Sequence, residues 1–200
     1  MAIAYPISIP TGIGIAEIEL RAINAVALSR SPFTFDSQAH AYPGQMWQAD
    51  ITIPQTNNIE VAEEWVAFLL SLRGQFGTFL LGDPLRTTLR GTATSCSVTG
   101  SSGDSTVSAT VPDGETILRG DYIQLGSGAT STLHKVVVDY TGTGAAADLE
   151  IWPALRTNRS SDSATLSNAK GVFRLSSNEQ VWSINESSAY GISFGAMEAI

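Results

Sequence analysis

The sequence predicts a mainly β fold: a β-sandwich with one flanking α-helix and an inserted small β-barrel or sandwich module. Two observations predict the strands. Apolar and polar residues alternate along most of the chain, and short runs of Gly, Ser, Pro and Asp, which favour turns, separate the alternating stretches. In chain order these stretches are 15–20, 47–53, 106–111, 121–126, 133–140, 148–152, 172–177, 180–184 and 190–198.

A third observation predicts the single helix, over residues 58–73. Its apolar residues recur at the spacing of one helical face, at Val61, Trp65, Phe68, Leu69 and Leu72. Asn57 or Asn58 is predicted to cap the start, and acidic residues follow in the first turns at Glu60, Glu63 and Glu64. Arg73 and Gly74 are predicted to end the helix, because Gly readily adopts the left-handed conformation there. The helix then covers one face of a sheet.

Composition changes in the middle of the chain. Residues 91–165, here called the insert, are rich in Gly, Ser, Thr and Ala, whereas the flanking segments carry most of the large apolar and aromatic residues. We predict that the insert is a small β domain, and that residues 1–90 plus 166–200 form one discontinuous β-sandwich, the scaffold. A tandem of two domains is the alternative, although the strands within 172–198 are too few for an independent core.

Charge argues against a nucleic-acid partner. The formal net charge is -8, and Lys135 and Lys170 are the only lysines. Because affinity for nucleic acids depends on clustered cations, we predict none is bound. Arg156 and Arg159 come nearest to a cluster, but their stretch, 155–163, is predicted to be a polar, solvated loop.

Membrane insertion and disulfide bonding are also not expected. The longest compact apolar cluster, residues 65–72, is far shorter than the roughly 20 residues that a membrane-spanning helix needs. The N-terminus lacks a basic region, and Pro6 and Pro10 interrupt it, so we predict no cleaved signal peptide. Cys96 is the single cysteine, and its alternating surroundings predict a small buried core residue.

Catalytic groups are few, and we predict that the chain is not an enzyme and takes no cofactor or metal. A triad can be drawn from His40 and Asp36 with a nearby serine, Ser29, Ser31 or Ser37. No nucleophile elbow accompanies it, and a triad is defined by geometry that sequence does not supply. His134 lies in an alternating stretch and is predicted to be an ordinary strand residue facing solvent or a neighbour.

The remaining chemical motifs are predicted to be structural. Three carboxylate pairs are expected on solvated surfaces, and they are Glu63 with Glu64, Asp148 with Glu150, and Glu17 with Glu19. Arg119-Gly120-Asp121 spells a short tripeptide associated with cell adhesion. A turn before the stretch 121–126 explains that tripeptide without any adhesive role.

Two groups of segments resemble a known family. The first comprises SPFTFDSQAHAYPGQMWQADITIPQ and EEWVAFLLSLRGQFGTFLLGDP; the second comprises GDYIQLG, LHKVVVDY, IWPALR, KGVFRL and YGISFGAMEAI, in that order. Together they are similar to the minor or distal tail proteins of tailed bacteriophages, over residues 31–200. The resemblance rests on a series of short blocks.

The resemblance implies a structural protein of the virion tail, made in the host cytoplasm. Distal tail proteins have a β-sandwich with a flanking helix that forms a ring, and an inserted or appended domain that projects outward. The implied partners are further copies of this chain, with a hexameric ring suggested, and other tail proteins such as the tail tube and tail hub. Distal ring, baseplate adaptor and tail-completion protein all remain open as positions in the tail.

Five residues are candidates for the subunit interface: Phe33, Phe35, Tyr42, Met46 and Trp47. They are large apolar residues in a segment that contains Gly and Pro, and exposed aromatic loops often form contact surfaces. Two interpretations stay open, an interface loop or a hairpin that packs onto its own sheet.

Two other functions are weighed against the tail protein. A carbohydrate-binding or adhesin module would need an exposed aromatic platform in the insert, whose large aromatic residues are Tyr122, Tyr140 and Trp152. A polysaccharide hydrolase would need a cleft with two opposed carboxylates. The sequence supports neither directly.

Overall fold

Strands make up nearly half of the chain in the computed structural model, which describes residues 3–186 and 189–200. The prediction of a mainly β protein with one α-helix is confirmed. Helix α1 spans Ile59–Ser71, and one turn of 3₁₀ helix spans Gly128–Thr130. In chain order the strands are β1 (Ile7–Ser8), β2 (Glu17–Arg30), β3 (Ser37–Thr56), β4 (Thr78–Leu81), β5 (Ser97–Gly100), β6 (Thr106–Thr110), β7 (Thr116–Ile117), β8 (Tyr122–Leu125), β9 (Thr132–Val136), β10 (Tyr140–Thr141), β11 (Ala146–Trp152), β12 (Arg159–Ser163), β13 (Gly171–Leu175), β14 (Trp182–Ile184) and β15 (Tyr190–Glu198).

Two sheets carry most of these strands. The seven-stranded sheet has the order β1-β4-β13-β15-β3-β2, with β14 paired to β15. In it β1 and β4 run parallel, and the other pairs are antiparallel. The six-stranded sheet has the order β12-β5-β6-β11-β9-β8, and β7 pairs separately with β10. Strands on both sides of the insert therefore interleave in one sheet, while the insert supplies the other.

Buried apolar side chains form two clusters. The first belongs mainly to the seven-stranded sheet and α1, and its largest fully buried members are Trp65, Phe79, Phe173, Ile51, Leu69, Leu72 and Leu81. The second is built from residues 96–164. Tyr122 and Leu133 of the insert join the first cluster, so the two parts of the chain are packed together. Their division into a scaffold domain and an inserted domain stays a prediction.

Helix α1 lies where the apolar periodicity predicts it. The side chain of Asn58 caps its start by accepting a hydrogen bond from the backbone N–H of Glu60 at 3.1 Å. The predicted apolar face is buried except for Val61, which is half-buried. Arg73 and Gly74 lie beyond the helix with φ of 52° and 68°, so the left-handed end begins one residue earlier than predicted. No helix in the described part of the chain is long and apolar enough to cross a membrane.

The polar stretch 155–163 differs from its prediction as a loop. Arg159–Ser163 forms β12 and pairs with β5 across a bulge, and Ser161 in that bulge has φ of 53°. The sequence RSSDS has no apolar alternation, so its strand conformation comes from the pairing with β5. The stretch 133–140, predicted as one strand, is divided between β9 and β10, with Val137 and Val138 exposed between them.

The largest departure is a long hairpin formed by β2 and β3. The predicted stretches 15–20 and 47–53 are only the inner ends of these strands, which have 14 and 20 residues. Beyond the pair Asn24↔Gln45 the hairpin runs out of the core, and apart from Ser31 every residue of 26–44 is exposed. Residues 24–45 are here called the arm. The arm is a hairpin, as one of the two interpretations had it, but it does not pack onto its own sheet.

Two local features explain why the sequence pattern does not predict the arm. Its first strand reads AINAVALS, which is small and apolar without clean alternation. Pro43-Gly44 indicates a turn, yet these residues lie within β3 opposite Ala25, at an irregularity of the ladder. The true turn is at residues 32–34.

Candidate interaction surface

The arm is a long, nearly uncharged edge of the seven-stranded sheet. Strand β2 is the terminal strand in the sheet order, so one side of its backbone has no neighbouring strand. Across residues 24–45 the charged side chains are Arg30 and Asp36. Monomeric proteins usually protect an exposed edge with lysines, bulges or a covering segment, because a free edge pairs readily with another chain. The distal half of β2 carries no lysine.

Other sheet edges in the described residues are better protected. At β8, Gln124 and Thr165 exchange two backbone hydrogen bonds of 3.0 and 2.8 Å, so the residue after the insert's last strand covers this edge. At β12, the bulge at Ser161 interrupts regular pairing. Strands β1 and β14 have only two and three residues. In the described residues, the long edges that this fold leaves open are therefore β2 and the part of β3 within the arm, which extends beyond the pairing with β15.

The two faces of the arm differ in polarity. Side chains of directly paired residues lie on the same face of a hairpin. The pairs Val26↔Ala41 and Leu28↔Ala39 therefore form an apolar face. The pairs Ala27↔His40 and Ser29↔Gln38 form the opposite, more polar face. Val26 and Leu28 are 56% and 68% exposed, so the described residues leave the apolar face uncovered.

The tip is ordered by its own contacts and presents aromatic rings. The hydroxyl of Ser31 accepts hydrogen bonds from the N–H groups of Phe33 and Thr34, each at 3.3 Å. The Arg30 guanidinium lies 4.8 Å from the centre of the Phe35 ring, and its Nε donates to the Phe35 carbonyl at 3.2 Å. Phe33 is 92% exposed. A defined turn thus holds an apolar side chain in solvent.

The five interface candidates do not lie together. Phe33, Phe35 and Tyr42 are exposed on the arm, and the Tyr42 ring meets the His40 ring edge-on at 4.8 Å. Met46 is half-buried at the base. Trp47 is only 4% exposed, and its Nε1 donates to the Leu133 carbonyl at 2.9 Å. Trp47 is therefore a core residue, because its ring is covered by the chain itself.

The insert contacts the base of the arm through hydrogen bonds and an aromatic pair. Trp152 Nε1 donates to Asn24 Oδ1 at 2.8 Å, and the backbone N–H of Ala154 donates to Gln45 Oε1 at 2.8 Å. The Trp152 ring also meets Trp47 edge-on, with centroids 4.5 Å apart. The residues of these contacts, together with Arg156 and Glu198, are here called the joint.

A bidentate ion pair completes the joint. Arg156 Nη2 and Nε lie 2.7 and 3.2 Å from the two carboxylate oxygens of Glu198, and both side chains are largely buried. Nη2 also donates to the Gln45 carbonyl at 2.6 Å, and Glu198 accepts from the Trp47 N–H at 3.1 Å. Sequence reasoning placed Arg156 in a solvated loop, because its partner lies 42 positions away and no local pattern reports that pairing.

The drawn triad is not assembled. His40 is exposed in β3, where it pairs with Ala27, and in the described residues no hydrogen bond joins it to Asp36 or to a serine. The Ser31 hydroxyl instead caps the turn at the arm's tip.

His134 is fully buried beside the joint. The Pro153 carbonyl, 2.7 Å from Nδ1, can only accept, so Nδ1 carries the proton and Nε2 accepts from the Thr132 hydroxyl at 2.9 Å. Burial lowers the pKa of His134 to about 4, and the nearby Arg156 and Arg159 act in the same direction. The ring is therefore a neutral structural element with both nitrogens occupied.

The remaining groups have structural surroundings. Cys96 is buried in the second cluster, and burial raises the pKa of its thiol to about 11. Asp121 of the adhesion-like tripeptide is 2% exposed and accepts backbone hydrogen bonds from Arg90, Gly91 and Leu118. Its carboxylate therefore fixes the backbone at residues 90–91, where the insert begins. In the described residues, no group of three or more His, Cys, Asp or Glu side chains is placed to hold a metal ion.

An aromatic platform is not found on the described surface of the insert. Tyr122 and Tyr140 are each 6% exposed, and Trp152 is half-buried in the joint. A groove of about 450 Å³ lies between residues 88–94 and 164–167. It is lined by hydroxyl groups, a glycine, alanines and two leucines, without an aromatic ring.

Comparisons with known proteins return no match, either to a protein-family model or to a curated protein. The function of the chain is therefore inferred from its own residues, and the arm and the joint are the features that bear on it.

Proposed function

We propose that this chain is a structural component of a phage tail that assembles with further copies of itself through the arm. The single observation that carries self-assembly is the arm, an apolar edge hairpin that leaves the core and is uncovered by the chain. Assignment to a tail rests on the similarity of the segments in 31–200 to minor or distal tail proteins. That similarity also suggests a hexameric ring with tail-tube and tail-hub neighbours in the virion.

Charge favours a second copy as the occupant of the arm. The whole chain has a net charge of -8, so two copies repel each other over most of their surfaces. The arm carries one Arg and one Asp and adds nothing to that repulsion. Copies of this chain therefore meet at the lowest electrostatic cost along the arm, where burial of Val26, Leu28 and Phe33 supplies the favourable free energy.

A mass measurement tests self-assembly. Light scattering of the purified chain over a concentration series should show a shift from monomer to a closed oligomer, and negative-stain images should show rings. The double variant Val26→Thr/Leu28→Thr should lose the oligomer, because it makes the apolar face polar with threonines, which are β-branched and suit a strand. The matched control Ser29→Thr/Gln38→Thr changes a directly paired couple on the opposite face of the same hairpin and should keep the oligomer.

Two results would overturn this assignment. A chain that stays monomeric at every concentration would rule out self-assembly through the arm, as would an oligomer unaffected by the Val26/Leu28 double variant. The tail assignment has its own test, which is mass spectrometry of purified virions: absence of the chain from the particles would exclude a virion role. Binding to a glycan array by the monomer would instead favour the carbohydrate-binding function.

A further inference from the structure

An irregularity in the β2–β3 ladder lies where the arm leaves the sheet. The last regular pair at the base is Asn24↔Gln45, and the next is Val26↔Ala41. Between these pairs β2 has one residue, Ala25, and β3 has the three residues 42–44. Extra residues in one strand bend a hairpin and increase its twist, so the direction of the arm is decided at this point.

The insert holds the two residues that flank the irregularity. Asn24 accepts its hydrogen bond from Trp152, while Gln45 receives bonds from Ala154 and Arg156, at 2.6–2.8 Å. All three donor residues belong to one short segment, 152–156. That segment is itself fixed by the ion pair of Arg156 with Glu198 and by the Trp47 ring.

Beyond the irregularity the arm has no second attachment. In the described residues, no hydrogen bond joins 26–44 to a residue outside the hairpin, and its side chains are exposed. Contacts near the tip, such as those of Arg30 and Ser31, are internal to the arm. Its direction relative to the core therefore depends on contacts at the base.

We propose that residues 152–156 of the insert set the angle at which the arm leaves the sheet, so that Trp152 and Arg156 are positioning residues for the assembly surface. The insert then has a role inside the subunit, which is to present the arm in one direction. A closed ring requires such a fixed direction, because a small angular error between subunits gives an open filament. The link to assembly rests on the proposed function, whereas the link to arm direction does not.

A distance measurement tests the positioning role. Spin labels are placed at Thr34→Cys on the tip and Ala67→Cys on the exposed side of α1, and the native Cys96 stays unlabelled because it is buried with a raised thiol pKa. The parent should give one narrow distribution of label distances. Asn24→Ala and Trp152→Phe should each broaden it, since each removes the same hydrogen bond, and their combination should add little. Asn24→Asp keeps the acceptor oxygen and should restore the narrow distribution.

The control lies three residues before Asn24 in β2, on the opposite face of the hairpin. Arg21→Ala removes the exposed ion pairs of Arg21 with Glu19 and Asp50 and should leave the distribution narrow. Thermal unfolding of every variant identifies any general loss of folding. Narrow distributions in both Asn24→Ala and Trp152→Phe, at unchanged stability, would overturn the positioning role.

Assembly is measured on the same unlabelled variants. We expect Asn24→Ala and Trp152→Phe to lose closed oligomers or to form irregular ones, with rescue by Asn24→Asp. If the parent chain does not assemble, the proposed function fails while the label distances still decide the role of residues 152–156. Broadened distances with intact closed oligomers would show that the joint directs the arm but that assembly does not need it, which would overturn the assembly half of the inference.

Discussion

The arm and the joint share strands β2 and β3, and they are opposite in burial. Phe33 on the arm is 92% exposed, whereas Trp47 at the joint is 4% exposed, although both are large aromatic residues of one hairpin. The joint draws partners from distant parts of the sequence, including Leu133, Trp152 and Glu198. Among the described residues, those of the arm beyond its base, 26–44, form hydrogen bonds only within the hairpin.

This difference shows that residue type alone does not separate core from interaction surface. The amphipathic stretch 47–53 lies under α1 and across from β15, so its apolar side chains find cover in the same subunit. Residues 26–44 are also rich in apolar side chains, but all of them except the half-buried Ser31 are exposed. The cover that they lack is what we assign to a neighbouring copy.

Truncation of one large side chain in each environment gives the strongest test of this contrast. Phe79 is fully buried and lies 5.5 Å from Phe68 and 6.3 Å from Phe194, between ring centroids. Phe79→Ala should lower the free energy of unfolding by about 3–5 kcal/mol. Phe33→Ala should change the free energy of unfolding of the monomer by less than about 0.5 kcal/mol. Urea unfolding at low protein concentration measures both, and similar losses would mean that Phe33 is covered within the subunit.

The joint is tested by breaking its ion pair. Glu198→Ala leaves the Arg156 guanidinium largely buried without its carboxylate partner and should cost about 3–5 kcal/mol of the free energy of unfolding. The control is Asp50→Ala, which removes an ion pair to Arg21 whose side chains are 49% and 51% exposed. That control should leave the unfolding midpoint unchanged, because exposed pairs contribute little. Equal effects of the two substitutions would contradict the assigned importance of the joint.

Much of the fold follows from local patterns in the sequence. The apolar face of α1, its Asn58 cap and strand β15 are found where alternation and helical spacing place them. These elements are predictable because each buries one face against the core, and a single buried face leaves a periodic trace in the sequence. Strand β12 leaves none, since its polar residues follow the ladder of β5.

The candidate interaction surface was predictable only in part. Phe33, Phe35 and Tyr42 were identifiable as large apolar residues in a Gly/Pro-containing segment, and they are exposed on the arm. Trp47 fits the same description, and only the long-range contacts of the joint assign it to the core. Pairings between residues more than 100 positions apart, such as Gln45 with Arg156, leave no signal in one sequence.

Acid should weaken the joint more than the arm. The pKa of His134 is lowered from 6.5 to about 4 in the folded chain. Between pH 6.5 and pH 4, His134 is therefore protonated in the unfolded chain and neutral in the folded chain. Titration of His134 therefore does not lower the free energy of unfolding above about pH 6.5. As the pH falls below that value, it lowers this free energy progressively, by about 3 kcal/mol in total.

Urea unfolding measured at several pH values between 7 and 5 gives the free energy of unfolding as a function of pH. The slope of this free energy against pH should be smaller in His134→Gln than in the parent. An identical slope for the parent and for His134→Gln would show that His134 is not excluded from protonation in the folded chain.

The smallest expected effect is confined to the tip of the arm. Arg30→Ala removes the guanidinium that lies over the Phe35 ring and bonds its carbonyl, and none of these groups contacts the core. Global stability should stay unchanged, while amide hydrogen exchange of residues 31–36 becomes faster, because local opening at a loop does not require unfolding of the sheet. Ser29→Ala, in the same strand, should leave that exchange unaltered. Faster global unfolding or a lowered midpoint in Arg30→Ala would show that the tip is coupled to the core. The arm would then not be the separate element that its exposure indicates.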